Sequence, residues 1–148
     1  MKVVRNPPFR ILVVDDDRAT RVLVHACLQY FGYSDVVDCA NGEEALKSFT
    51  ERPAQLVISD LKMPKLDGLG LLRAIRLIPG CSHTPVILLT SRGEESTVKR
   101  ALESKVDCYM VKPFTIAGLR EKIEALAEPL RRRTEGPQDD VNVWYVGE

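Results

Sequence analysis

Short apolar runs recur along the chain, and a stretch with helical spacing follows each of them. Arg10-Ile11-Leu12-Val13-Val14 reads as a strand. From Arg18 to Phe31 the apolar residues Ala19, Val22, Leu23, Ala26, Cys27 and Tyr30 keep the i, i+3, i+4, i+7 rhythm of a helix that Gly32 stops. A strand over Asp35–Cys39 leads through Asn41-Gly42 to a helix over 43–50, with Ala45, Leu46 and Phe49 inward and Pro53 beyond its end. The run Gln55-Leu56-Val57-Ile58-Ser59 closes on Asp60, which opens a loop stiffened by Pro64. A third helix spans 68–78 (Leu69, Leu72 and Ile75, with Leu71 and Ile78 nearby) and stops at Pro79-Gly80. Pro85-Val86-Ile87-Leu88-Leu89 is continuously apolar, as expected of a strand covered on both faces. A weaker helix over 94–105 and a fifth strand over 107–111 follow. The last helix runs from about Thr115 with Ile116, Leu119, Ile123, Leu126 and Leu130 in register. Its end carries Arg131-Arg132-Arg133 before Gly136-Pro137, so cations meet the negative end of the dipole and a breaker pair follows.

Five strands alternating with five helices predict a doubly wound α/β domain: a five-stranded parallel sheet with right-handed crossovers and helices on both faces. Such sheets bind ligands beyond the C-terminal ends of their strands. The Asp15-Asp16 pair, Asp60, Thr90 and Lys112 follow or end four separate apolar runs, which places them on one rim although they span nearly a hundred residues of sequence. Three acids, a hydroxyl and a lysine suit a divalent metal beside a phosphoryl group.

Composition narrows the reading. The 148 residues are most economically one domain at 9–133, with an N-terminal extension at 1–8 and a C-terminal tail at 134–148. Lysines and arginines (21) balance aspartates and glutamates (21), so no global charge argues for nucleic acid or membrane binding. No apolar stretch approaches the roughly 20 residues that span a bilayer, and the first residues lack the apolar segment of a signal peptide. Cys27, Cys39, Cys81 and Cys108 show no C-x-x-C spacing and read as reduced thiols of a cytoplasmic protein.

The sequence resembles the receiver domains of two-component response regulators, of the single-domain, chemotaxis-regulator-like kind, over roughly residues 9–130. The matching residues are the Asp15-Asp16 pair, Asp60 with Met63-Pro64 and Asp67-Gly68 behind it, Thr90-Ser91, and Tyr109-Met110-Val111-Lys112-Pro113-Phe114. Each motif alone is weak; together, in order and at the family's spacing, they are specific. The resemblance implies a flavodoxin-like sheet of strand order 2-1-3-4-5. It also implies phosphorylation of Asp60 by a sensor histidine kinase or phosphotransfer protein, in a phosphoacceptor signalling domain rather than a turnover enzyme.

The residue types fit that chemistry. Clustered carboxylates repel one another and are relieved by a hard cation with oxygen ligands, Mg²⁺ or Mn²⁺. Asp16 and Asp60 are expected as direct ligands, Asp15 mainly through bound water, and the Lys62 backbone carbonyl as a further oxygen. Asp60 is then the nucleophile of an acyl phosphate, with Lys112 as a point charge on the phosphoryl group. By resemblance, Thr90 bonds the phosphoryl oxygens and Tyr109 turns from an outward to an inward rotamer. The face of 94–105, the fifth strand and the last helix is thereby changed for a downstream protein or for phosphorylation-dependent homodimerisation.

Other polar residues have plainer readings. Asp17 is expected to cap the first helix and Asp67 to serve as a turn and cap residue. His25 reads as a helix-surface residue, His83 as a loop residue, and Arg131–Arg133 as a dipole-compensating cluster. The sequence departs from the family around Lys105-Val106, where a glycine is usual. It also departs at Lys62 and Arg92, long cations two positions after Asp60 and Thr90, where the resemblance implies residues that modulate attack by water on the phosphoryl group. The tail holds an apolar cluster with the sole tryptophan, Trp144, expected to pack on this domain or a neighbour, or to serve as a partner motif. Two alternatives stand beside the main reading. A haloacid-dehalogenase-like phosphatase would use Asp15-x-Asp17 but leave Asp60 unexplained. A docking-only receiver would not need the complete set of phosphorylation residues.

Overall fold

The computed structural model describes residues 2–5, 9–91, 99, 106–135 and 143–146, and at 2–5, 128, 130–135 and 143–146 the backbone only. In chain order the elements are β1 (Lys2–Arg5), β2 (Arg10–Val14), α1 (Arg18–Tyr30), β3 (Asp35–Cys39), α2 (Gly42–Glu51) and β4 (Leu56–Asp60). They continue with α3 (Gly68–Leu77), β5 (Val86–Ser91), β6 (Cys108–Lys112), α4 (Ile116–Glu135) and β7 (Val143–Val146). The helix expected over 94–105 lies outside the described residues apart from Lys99.

β2 to β6 form one parallel sheet in the order β3-β2-β4-β5-β6, with Val14 beside Ser59, Asp60 beside Leu89 and Thr90 beside Val111. Counted within that sheet this is the expected 2-1-3-4-5 order. The direction of winding reverses between β2 and β4, so their C-terminal tips border the crevice where such sheets place ligands.

Alternation along the strands divides the core in two. Leu12, Val14, Val57, Val86 and Leu88 pack with Phe49 of α2 and with Leu71, Leu72 and Ile75 of α3. Ile11, Val13, Leu56, Ile58, Ile87, Leu89 and Met110 pack with Val24, Cys27 and Leu28 of α1 and with Leu119, Ile123 and Ala127 of α4. Asp15, Asp60 and Lys112 continue the second alternating set, so three strand ends aim charged groups to the same side of the rim.

Two helix faces differ from the sequence expectation. On α1 the sheet is covered by Val24, Cys27 and Leu28, whereas Val22, Leu23 and Tyr30 are exposed. The helix carries two apolar stripes, and only one can face the sheet; the bulkier i, i+4 pair Val24-Leu28, with Phe31 packed behind it, takes that place. Ile116 is likewise exposed rather than in the core, because the inward face of α4 begins at Leu119. The α4 helix continues through Pro129, although proline removes one internal hydrogen bond.

The extension and the tail meet each other. β1 and β7 form a two-stranded antiparallel sheet, with Val3 opposite Tyr145 and Val4 opposite Trp144. The four cysteines are free thiols, three of them buried, as expected. Burial, with the charges of Glu44 and Asp38 beside it, pushes the Cys39 thiol up to about 11.

Candidate functional site

The site begins with the loops that leave β2 and β4. Asp15 is buried, its N–H donating to the Cys39 carbonyl (3.2 Å) and its Oδ1 accepting from the Asp17 N–H (2.8 Å). Asp16, next in the chain, is exposed. Asp17 holds the N-cap position of α1 but its side chain makes no capping bond to the helix amides; the Thr20 hydroxyl donates to its carboxylate at 2.7 Å instead, the main cause of its lowered pKa.

Asp60 is the last residue of β4 rather than the first of the loop. It is almost buried, and its carbonyl accepts from the Ser59 hydroxyl at 2.9 Å. Beyond it the chain turns so tightly that the Gly68 N–H reaches the Leu61 carbonyl at 2.9 Å. A Cβ on Gly68 would lie 2.3 Å from the Asp60 carbonyl oxygen, so only glycine fits there. Asp67 caps α3 as expected, accepting from the Gly70 N–H at 2.7 Å. Lys65, in the same loop, has φ 66, a left-handed conformation unusual for a lysine.

Carboxylate oxygens of Asp15, Asp16 and Asp60 all lie within 4.8 Å of one another. Lys112, at the end of β6 before a cis peptide to Pro113, bridges two of them, Nζ donating to Asp15 Oδ2 (3.0 Å) and Asp60 Oδ1 (3.2 Å). Burial, reinforced by the charge of Asp15, pushes the Asp60 carboxyl up to about 6 despite Lys112. Burial also works against the Lys112 ammonium, but its bond to Asp15 and the charge of Asp60 outweigh it and hold its pKa above the usual value. The donor set is all oxygen, converging and under-compensated by one lysine, which fits a hard divalent cation.

Thr90 is buried at the end of β5, its hydroxyl donating to the Met110 carbonyl of β6 at 3.3 Å. Tyr109 on β6 stands outward, 39% exposed, and Val111, two residues on along the strand, is exposed as well, as is Ile116 at the start of α4. Lys62 is exposed, and Arg92 and Lys105 lie outside the described residues. His25, read as a surface residue, pairs with Asp38 (2.6 Å), and His83 Nδ1 lies 3.0 Å from the Ser82 hydroxyl. Two features escaped the sequence reading. One is the exposed α1 stripe, which ends beside Lys112 in a groove of about 320 Å³ lined by Thr20, Leu23, Lys112, Pro113 and Phe114. The other is Arg21, whose guanidinium donates to the Asp15 carbonyl at 2.6 Å. Val24, Leu28 and Phe31, spaced as a second stripe, were the signal for the first; the second left no trace in the pattern.

The sequence model for the response regulator receiver domain matches residues 11–124. The chain belongs to that family. It is 37% identical over 123 residues to "Probable chemotaxis protein CheY" of Rhizobium etli, covering 83% of this chain and 95% of that protein. A response regulator receiver domain protein from Clostridium thermocellum superposes with a TM-score of 0.76 at 31% identity, over 83% of this chain and 97% of that one. The receiver domain of a Pseudomonas aeruginosa sensor histidine kinase, solved with a magnesium ion in its active-site cleft, superposes with a TM-score of 0.74 at 26% identity. That match covers 82% of this chain and 98% of the other. The protein is thus a receiver domain, a signalling domain whose Asp15, Asp16 and Asp60 form the acidic pocket typical of phosphorylation and Mg²⁺ binding. The phosphatase alternative falls with this assignment.

Proposed function

We propose that Asp60 accepts a phosphoryl group from a phosphohistidine of a sensor kinase or phosphotransfer protein, and that the acyl phosphate switches a protein-binding face. The observation that carries this reading is the convergence of three carboxylates with Lys112 bonded to the one at the tip of β4.

A carboxylate oxygen of Asp60 bonds to phosphorus as the bond from phosphorus to the donor imidazole breaks, and the imidazole leaves with that electron pair. Asp15, Asp16, Asp60 and the Lys62 carbonyl would hold Mg²⁺, which when bound supplies charge opposite the phosphoryl oxygens. Lys112 adds a second positive charge and fixes Asp60 through Oδ1. Asp15, held by its own amide contacts, anchors that lysine.

Thr90 then exchanges its bond to the Met110 carbonyl for one to the phosphoryl group, drawing the end of β5 inward and letting Tyr109 turn in. The output face is that of Tyr109, Val111, Ile116 and α4 with residues 94–105. It is read by a downstream protein or a second receiver. Leu23, the member of the exposed α1 stripe that lines the groove beside Lys112, offers the phosphodonor an apolar contact at the mouth of the site. Self-phosphorylation and autodephosphorylation are the only chemistry assigned, and no nucleic acid or membrane contact is. Among the described residues no helix is long and apolar enough to cross a membrane.

Incubation with acetyl phosphate and Mg²⁺ followed by intact mass tests the reading. One phosphate per chain is expected, and none in Asp60→Asn; full labelling of that variant would overturn the assignment.

A further inference from the structure

We propose that Arg21 is a positioning residue for the metal ligand Asp16, acting through the peptide bond that joins Asp15 to Asp16. This rests on the reading of Asp15, Asp16 and Asp60 as the metal-holding set.

A peptide unit is planar, so whatever fixes its carbonyl oxygen fixes the direction in which the next residue departs. The β2–α1 turn contains three consecutive peptide planes that must be set before Asp15 and Asp16 can converge with Asp60. The Val14-Asp15 plane is tied to the sheet, because the Asp15 N–H donates to the Cys39 carbonyl of β3 at 3.2 Å. The Asp16-Asp17 plane is tied by the Asp17 N–H, which donates to Asp15 Oδ1 at 2.8 Å. The plane between them is tied by Arg21, whose Nη1 donates to the Asp15 carbonyl oxygen at 2.6 Å. Arg21 is itself rooted in the first turn of α1, its N–H donating to the Asp17 carbonyl at 3.0 Å. Its guanidinium therefore reaches back across the turn and closes it from the helix side.

The consequence falls unequally on the two acids. Asp15 is buried and, apart from Arg21, is held at its amide and at both carboxylate oxygens, so it has several independent restraints. Asp16 is exposed, and the plane fixed by Arg21 is the one from which it departs. Groups that orient ligands are worth on the order of 10- to 100-fold in metal affinity. Arg21 does this by a hydrogen bond to a neutral carbonyl, not by pairing with a carboxylate. A neutral donor of sufficient reach therefore replaces it, and the positive charge is dispensable.

The test compares the full-length parent with Arg21→Met and with Arg21→citrulline, the neutral isostere of equal reach, installed by ligation at Cys27; it measures Mg²⁺ affinity by calorimetry and acetyl phosphate labelling across a Mg²⁺ titration. For Arg21→Met the Mg²⁺ dissociation constant should rise about ten-fold, while the labelling rate at saturating Mg²⁺ returns to within about two-fold of the parent. Arg21→citrulline should retain most of the parental affinity. Thermal unfolding of the metal-free proteins accompanies both, since a merely structural role would lower stability and the saturated rate without a selective loss of Mg²⁺ affinity. Unchanged or tighter Mg²⁺ binding in Arg21→Met overturns the proposal, because charge removal would then outweigh positioning. Equal losses in Arg21→Met and Arg21→citrulline overturn it as well, since the charge and not the bond would be responsible. A parent that neither binds Mg²⁺ nor labels removes the underlying reading of the acidic cluster, and a parent that does both separates the two failures.

Discussion

Lys112 stands closer to Asp15 than to Asp60: its Nζ is 3.0 Å from Asp15 Oδ2 and 3.2 Å from Asp60 Oδ1. The lysine is thus shared, and the better-buried partner is the one not proposed to react. Asp60 keeps only part of the compensation, which is why burial and the Asp15 charge still push its carboxyl up to about 6. The proposed nucleophile is held ready but uncomfortable.

That discomfort has a sign. The folded pKa of Asp60, about 6, lies above its ordinary value of 3.8, so the folded state holds the proton more tightly. The stability this contributes is full below about pH 4 and is lost as pH rises through about 6. Asp60→Asn should therefore stabilise the metal-free protein at pH 7.5, by at most about 3 kcal/mol, with the difference vanishing near pH 4. Urea unfolding in chelator at several pH values measures it. Asp60→Asn no more stable than the parent at pH 7.5 would show the carboxylate to be adequately compensated.

The same titration governs the reaction. Mg²⁺ affinity, and acetyl phosphate labelling at limiting Mg²⁺, should both decline as pH falls below about 6, because protonated Asp60 is neither nucleophile nor ligand. Mg²⁺ affinity that stays constant down to pH 5 would contradict the shifted carboxyl.

Backbone constraints behind Asp60 give a pair of opposite effects. Gly68→Ala places a Cβ against the Asp60 carbonyl and should cost about 1–3 kcal/mol with impaired labelling. Lys65→Asn relieves a left-handed lysine and should gain about 0.5–1 kcal/mol with labelling unchanged. Denaturant midpoints rank the three proteins, and a destabilised Lys65→Asn would mean that the lysine side chain is needed there.

The sheet was legible because its strands are continuous apolar runs ending in charged or hydroxyl residues, a pattern that survives without tertiary information. Asp15, Asp60 and Lys112 were legible for the same reason: parallel strands bring their ends together whatever the helices do. The helix faces were less so. On α1, periodicity offered the stripe of Val22, Leu23 and Tyr30 and a competing one of Val24, Leu28 and Phe31, and the choice depends on which fills the groove over β2. Arg21 was invisible, since nothing in its spacing distinguishes a surface arginine from one that reaches a carbonyl six residues back. The pairing of β1 with β7 joins residues too distant for any local pattern.

The misread stripe supplies its own prediction. Leu23 is 47% exposed and lines the groove beside Lys112, outside the group that reacts. Leu23→Glu should slow transfer from a protein phosphohistidine donor by about ten-fold or more, a loss of roughly 1.4 kcal/mol at an interface anchor. Labelling by acetyl phosphate, which needs no docking surface, should stay near parental. Equal loss with both donors would place the effect in the site and not at an interface.

Output tests the remaining link, from Thr90 to Tyr109. The Thr90 hydroxyl bonds the Met110 carbonyl, so it reports on β6 directly, and Tyr109 is the residue before that carbonyl's owner. Thr90→Ala removes the group that would exchange this bond for the phosphoryl oxygens but leaves Asp60, Lys112 and the acids in place. Phosphorylation should persist largely intact, while its effect on partner binding or dimerisation is lost, since a phosphate can shift the equilibrium only through differential contacts with the two states. Amide exchange with and without beryllofluoride reads this out. In the parent, protection should change at β5, β6 and the start of α4, and in Thr90→Ala those changes should shrink or vanish. Changes confined to the α2–α3 side in the parent would mean that the signal leaves the phosphorylated site by another route.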